Sequence, residues 1–173
     1  NPTYTSVTHS LKRQVRTRGG QRWSLDVTFP PLTRTDFAPV WAFALAQQGQ
    51  FGKFTFVPPI YSNTSGTASG TMRVNNSAGY IAGTKTITVD GLTGTLKAGD
   101  FIKFTGHDKV YTITADATTS LTIEPVLQLP ITNNEIVIFN GVPFTVSFAN
   151  NTQNLSVGVS GFVNYSMKLV EAV

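Results

Sequence analysis

The chain has 173 residues, no cysteine, thirteen Lys plus Arg against nine Asp plus Glu, and a formal net charge of +4. A chain of this length buries roughly 70% of its unfolded surface, enough for a core without staples, and the missing cysteine excludes disulfide scaffolds, thiol nucleophiles and cysteine-based zinc or iron–sulfur sites. Charged residues make up only 13% of the chain, about half the ~25% usual in globular proteins, and Thr, Ser, Asn and Gly take their place, a β-type surface.

No run approaches the ~18 apolar residues of a membrane span, and Asn1-Pro2-Thr3-Tyr4 lacks a basic-then-apolar signal layout, so the sequence reads as soluble with no membrane partner. The start at Asn1 leaves a removed targeting segment open. The charge is uneven: residues 1 to 34 carry Lys12, Arg13, Arg16, Arg18, Arg22 and Arg34 against Asp26 alone, +5 in all, which leaves −1 for the rest.

In chain order, residues 4 to 18 form a polar, β-branched stretch without an internal turn signal, ending at Gly19-Gly20. Arg22 to Phe29 alternates strictly, with Trp23, Leu25, Val27 and Phe29 on one face, which predicts a half-buried strand closed by Pro30-Pro31. The two stretches are expected to pair as a hairpin through the Gly pair. One helix follows, at about 35–48: Thr33 and Asp36 resemble a capping box, and Phe37, Val40, Trp41, Ala44 and Leu45 fall at i, i+3, i+4, i+7 and i+8. Pro39 puts the helix start near Thr35 or Asp36, since proline is tolerated in a first turn, and Gly49 stands where a carboxyl-terminal cap is expected. Phe51 to Val57 reads as an aromatic strand, and Tyr61 to Gly83 as a loop or junction with a short strand at Thr71 to Val74. Five short strands follow, at 86–89, 101–105, 109–115, 120–124 and 135–139, the size of a small closed or nearly closed barrel. Pro143 to Phe148, Leu155 to Val159 and Phe162 to Val170 complete the strands.

The residues offer little for catalysis. There is no phosphate loop, dinucleotide fingerprint or nucleophile elbow, and no cofactor is expected. His9, on the face of Val7, Leu11 and Val15, and His107, before Asp108, lack an acidic or thiol cluster, so no metal site is expected. Asp90, Asp100, Asp108 and Asp116 each stand beside a turn, where capping of backbone N–H groups explains them better than a catalytic pair. Sequons at Asn63, Asn75, Asn150, Asn154 and Asn164 arise readily in so Asn- and Thr-rich a chain. On a strand over 4–18, Lys12, Gln14, Arg16 and Arg18 share one face with Arg13 opposite. Such a stripe contacts phosphates, or it is a solvated face or a charged contact with a neighbouring subunit. The aromatics Trp23, Phe29, Phe37, Trp41, Phe54 and Phe56 fit one core, while Tyr61 or Tyr80 could serve as a carbohydrate platform.

The run RTRGGQRWSLDVTFPPLTRTDFAPVWAFALAQQGQFGKFTFVPP, from Arg16 to Pro59, resembles tailed-bacteriophage minor tail proteins of the distal tail protein type, which join tail tube to tip or baseplate. The stretches LKAGDFIKFTGHDKVYTITADATTSLTIEPVL and FTVSFANNTQNLSVGVSGFVNYSMKLVEAV extend the resemblance over most of the chain. It implies a mainly β, tail-tube-like β-sandwich with one flanking helix, over 1–70 and 140–173, and a small barrel, inserted or appended, over 71–139. It further implies a virion protein of the phage tail, a ring of identical subunits, often a hexamer, in contact with tail tube and tail hub or tip, with DNA only as passing cargo and no enzymatic activity. Lys12, Arg13, Arg16, Arg18, Arg22 and Arg34 become candidate subunit-contact residues, a reading of the charge and not one carried over from the family. The alternative is a barrel module that binds a cell-surface glycan or nucleic acid.

Overall fold

The structure, a computed structural model, describes residues 2–17, 19–158 and 161–173. Its strands are β1 (Thr3–Val7), β2 (Arg13–Thr17) and β3 (Ser24–Thr28), then after helix α1 (Arg34–Ala46) β4 (Phe54–Phe56), β5 (Ser69–Val74), β6 (Thr86–Thr93), β7 (Phe101–Phe104), β8 (Val110–Ile113), β9 (Ser120–Glu124), β10 (Val137–Ile138), β11 (Phe144–Phe148), β12 (Ser156–Val157), β13 (Val163–Asn164) and β14 (Ser166–Glu171). The protein is mainly β, as its composition predicts, with a single helix among the described residues. That helix is not long and apolar enough to cross a membrane. The chain divides into two compact units, Asn1–Arg22 with Val57–Pro143, and Trp23–Phe56 with Phe144–Val173.

The second unit is a four-stranded antiparallel sheet in the order β3-β14-β11-β4. Period-two alternation gives it two unlike faces. Leu25 stands opposite Leu169, Val27 opposite Met167 and Phe56 opposite Phe144, all on the apolar face, while Ser24, Asp26, Thr28, Ser166 and Lys168 are exposed on the other. Helix α1 covers the apolar face through rings: Phe37 and Trp41 lie 5.4 and 6.0 Å from Tyr165, and Phe43 lies 5.1 Å from Phe54, edge-on. Burial raises the pKa of the Tyr165 hydroxyl, which donates to Gln153 Oε1 at 2.9 Å. The fully buried Glu171 ends the apolar face and accepts the Trp23 N–H at 3.2 Å.

Two expectations for this unit are corrected. Strand β3 pairs with β14, from Ser166↔Thr28 to Val170↔Ser24, and not with the preceding basic stretch. Gly19 and Gly20 have positive φ of 69° and 68°, but they lie within the first unit, which runs to Arg22, and close no hairpin onto β3. The helix begins at Arg34, with Thr33 as its cap: the Asp36 N–H donates to Thr33 Oγ1 at 3.3 Å, and the Thr33 hydroxyl donates to Asp36 Oδ2 at 2.7 Å. Pro39 is therefore the sixth helical residue, beyond the first turn, and removes the N–H that would bond Thr35 O. In the expected strand at 155–159, β12 covers Ser156–Val157, and Val159 lies outside the described residues.

The first unit holds a six-stranded sheet in the order β10-β7-β8-β9-β6-β5, and an antiparallel bridge between Arg73 and Ile136 links its two ends into a nearly closed barrel. Its interior is filled by Met72, Val74, Ile87, Ile102, Phe104, Tyr111, Ile113, Leu121 and Ile123, each fully buried and each worth roughly 1.5–3 kcal/mol of transfer free energy. It is a packed core. At the β5–β6 pair the register shifts between Gly70 and Arg73, and opposite the irregularity stands Gly91 with φ 70°, where a Cβ would run into the Thr71 carbonyl oxygen.

Candidate functional site

The basic stretch is an arm made of two strands. β1 and β2 pair residue for residue from Thr3↔Thr17 to Val7↔Arg13 and form a sheet of their own. The chain reverses at Thr8–Lys12, where the Thr8 N–H donates to Lys12 O at 3.0 Å and the Leu11 N–H to Thr8 O at 2.9 Å. Leu11 takes a positive φ of 62° and is 85% exposed. The expected single strand over 4–18 is thus two strands. No Gly, Pro or Asn marks the reversal; the Thr8 hydroxyl braces it instead, within 3.0 Å of Ser10 Oγ and 3.3 Å of Lys12 O.

Direct partners in an antiparallel ladder project from the same face. One face of the arm carries Tyr4 beside Arg16 and Ser6 beside Gln14; the other carries Thr3 beside Thr17, Thr5 beside Val15, and Val7 beside Arg13. Every residue from 2 to 17 is exposed, so the arm buries neither face in its own chain. Of the candidate cations, Arg13 and Arg16 lie on β2, Lys12 in the turn with His9, and the exposed Arg22 at the end of this segment. Arg18 lies outside the described residues. Arg34 opens α1 in the other unit and does not join the arm.

Three ion pairs lie in the barrel: Lys85–Glu124 at 3.0 Å, Lys97–Asp116 at 2.6 Å and Lys103–Asp108 at 3.6 Å. None engages Lys12, Arg13, Arg16, Arg22 or Arg34. No three His, Asp or Glu side chains converge to hold a metal ion among the described residues. The turn carboxylates do structural work at two positions. Asp100 accepts from the Thr64 and Ser65 hydroxyls and from the Ser65 and Lys97 N–H groups, and Asp116 accepts from the Ala98 N–H at 3.0 Å and from Lys97 Nζ. Burial alone would raise the Asp100 pKa, but its donors outweigh it and hold the carboxyl below the ordinary 3.8. Asp90 lies within β6, opposite Arg73, and is no turn residue.

Two clefts open on the barrel surface, one lined by Ile60, Tyr61, Thr64, Ala98 and Asp100, the other by Gly70, Met72, Ile136, Ile138 and Asn140. Tyr61 is exposed beside the first. Tyr80 is tied down, its hydroxyl oxygen accepting the Thr88 N–H at 2.9 Å, and is no free platform. The expected face of Lys12, Gln14, Arg16 and Arg18 does not form as a stripe among the described residues: Arg16 stands on one face of the ribbon, Arg13 on the other, and Lys12 in the turn. The exposed Ala38, Ala42, Leu45 and Ala46 of α1 were readable, because the helix is apolar beyond the stripe that one buried face needs.

Residues 64–142 match the family model described as the distal tail protein pb9, B domain. No curated protein matches the chain. The matched segment is the barrel with its flanks.

Proposed function

We propose that the protein is a structural, non-enzymatic component of the phage tail that assembles as a ring of identical subunits at the distal end, around the DNA channel, and links the tail tube to the tip or baseplate. The carrying observation is the arm: a basic, two-stranded ribbon that is exposed on both faces in the single chain. An isolated hairpin is marginal in water, so such an element belongs against another surface. Lys12, Arg13, Arg16, Arg18 and Arg22 contact neighbouring subunits or adjoining tail proteins on this reading, and Arg34 contributes from α1. The barrel is an insertion in the sheet unit, a reading supported by Phe56 and Phe144, direct ladder partners at the two ends of the segment between them.

Cryo-electron microscopy of intact tails tests the reading. A ring of this chain between tube and tip is expected; its absence from that position would refute it.

A second reading has its own observation, the arm's cations without ion pairs among the described residues. Binding of a polyanion predicts retention of DNA in a filter assay that falls steeply with salt and disappears when Lys12, Arg13 and Arg16 are changed to Ala. Retention unaltered by those changes removes it.

A further inference from the structure

We propose that Asn140 is a self-modification site, an asparagine poised to pass through a succinimide with the Gly141 nitrogen to aspartate or isoaspartate, and that Asn63 is the lock that holds it. The inference does not depend on the ring. Asn140-Gly141 is the one Asn-Gly pair in the sequence. A glycine nitrogen after an asparagine is the least hindered nucleophile the backbone offers, because no Cβ crowds it or narrows its conformations. Asn140 and Gly141 are both exposed, so water and a base from solvent reach them.

The segment that enters the barrel meets the pair. The Thr64 N–H donates to Asn140 Oδ1 at 3.1 Å, the Gly141 N–H donates to Asn63 Oδ1 at 2.9 Å, and the Val142 N–H donates to Ser62 O at 2.9 Å. The two side-chain bonds are reciprocal: each asparagine accepts the N–H of the residue that follows the other. Their effects on the chemistry oppose. A backbone donor on Oδ1 withdraws charge from Cγ and faces the oxyanion that grows when Cγ is attacked. The Asn63 oxygen instead holds the proton of the attacking nitrogen, which is nucleophilic only once that proton has gone to a base in solvent. With the lock open, the Gly141 nitrogen loses its proton, the N–Cγ bond forms, the Cγ–Nδ2 bond breaks and ammonia leaves. Water then opens the ring at either carbonyl. Hydrolysis leaves a carboxylate that faces Thr64, whose hydroxyl already donates to Asp100, so two like charges crowd one residue. The isoaspartyl product also lengthens the main chain between Phe139 and Val142, both buried.

The test incubates the full chain at mildly alkaline pH and reads conversion at residue 140 by peptide mass spectrometry, with isoaspartate counted by methyltransferase labelling. The folded parent is expected to convert slowly, and the parent unfolded in urea several-fold faster. Folded Asn63→Ala is expected to match the faster rate, while Asn63→Asp, which keeps an acceptor for the Gly141 N–H, stays near the folded parent. Thr64→Val is the control for general loosening: it removes the hydroxyl on Asp100 and leaves the lock in place, so its rate should equal that of the parent. Circular dichroism checks that each variant is folded, and Asn63→Ser, too short to reach Gly141, replaces Asn63→Ala where that variant is not. Absence of conversion at residue 140 in the urea-unfolded parent overturns the site. A folded parent as fast as the unfolded one, an Asn63 truncation no faster than the folded parent, or Thr64→Val as fast as that truncation each overturns the lock.

Discussion

Four donors converge on Asp100: the Thr64 and Ser65 hydroxyls and the Ser65 and Lys97 N–H groups. The residue is 4% exposed, and it ties the segment entering the barrel to the turn before β7. Its folded pKa lies below 3.8, so the stability it contributes is fully present above the unfolded value and is lost as pH falls through the folded one. Asp100→Asn is expected to cost about 2 kcal/mol at neutral pH, read from urea unfolding followed by far-ultraviolet circular dichroism. Below about pH 4 the gap between the two proteins should narrow; a gap constant from pH 7 to pH 2.5 would contradict the assignment. Gly91 makes a steric counterpart. Gly91→Ala combines a positive φ with a clash against Thr71 O and should cost about 2 kcal/mol or more by the same measurement. The turn role of Asp100 was legible in Ala98-Gly99-Asp100, because carboxylates habitually cap turns. Its partners Thr64 and Ser65 were not, since nothing local connects residues so far apart in sequence.

At the scale of elements, α1 combines a sound cap with a proline in its interior. Thr33→Ala removes the cap and should cost about 1 kcal/mol, whereas Pro39→Ala restores a backbone donor and should stabilise by about 1 kcal/mol or more. Thermal melts of both variants check the opposite signs; a Pro39→Ala protein that melts lower than its parent would mean that the ring of Pro39 packs against something. The strands β6 to β9 were legible from alternation and turn residues because their order along the chain is set by short turns. Strand β3 also alternated plainly, but its partner was misread: nearness along the chain favoured residues 4–18, and β3 instead pairs with β14, Leu25 beside Leu169 and Val27 beside Met167. Periodicity reports which face is buried and says nothing of what buries it. The arm failed for another reason. Leu11 turns the chain with a positive φ that no Gly or Asn announces.

Across the whole molecule, the excess of positive charge is confined to a segment that contributes no buried surface. Substitutions there should separate assembly from folding. Arg13→Glu with Arg16→Glu is expected to leave unfolding within about 0.5 kcal/mol of the parent, the usual range for exposed positions, while mass photometry registers loss of oligomer. A large loss of stability in this variant would show that the arm packs on its own chain after all.

Phe56 and Phe144 face each other across two neighbouring antiparallel strands, so the sheet needs only a tight turn at that point, and everything from Val57 to Pro143 is a detour. An Asn-Gly pair in its place would join the same strands by the shortest common hairpin. The detour is then a cassette: sequences of unrelated length could be exchanged there without disturbing the pairing on either side.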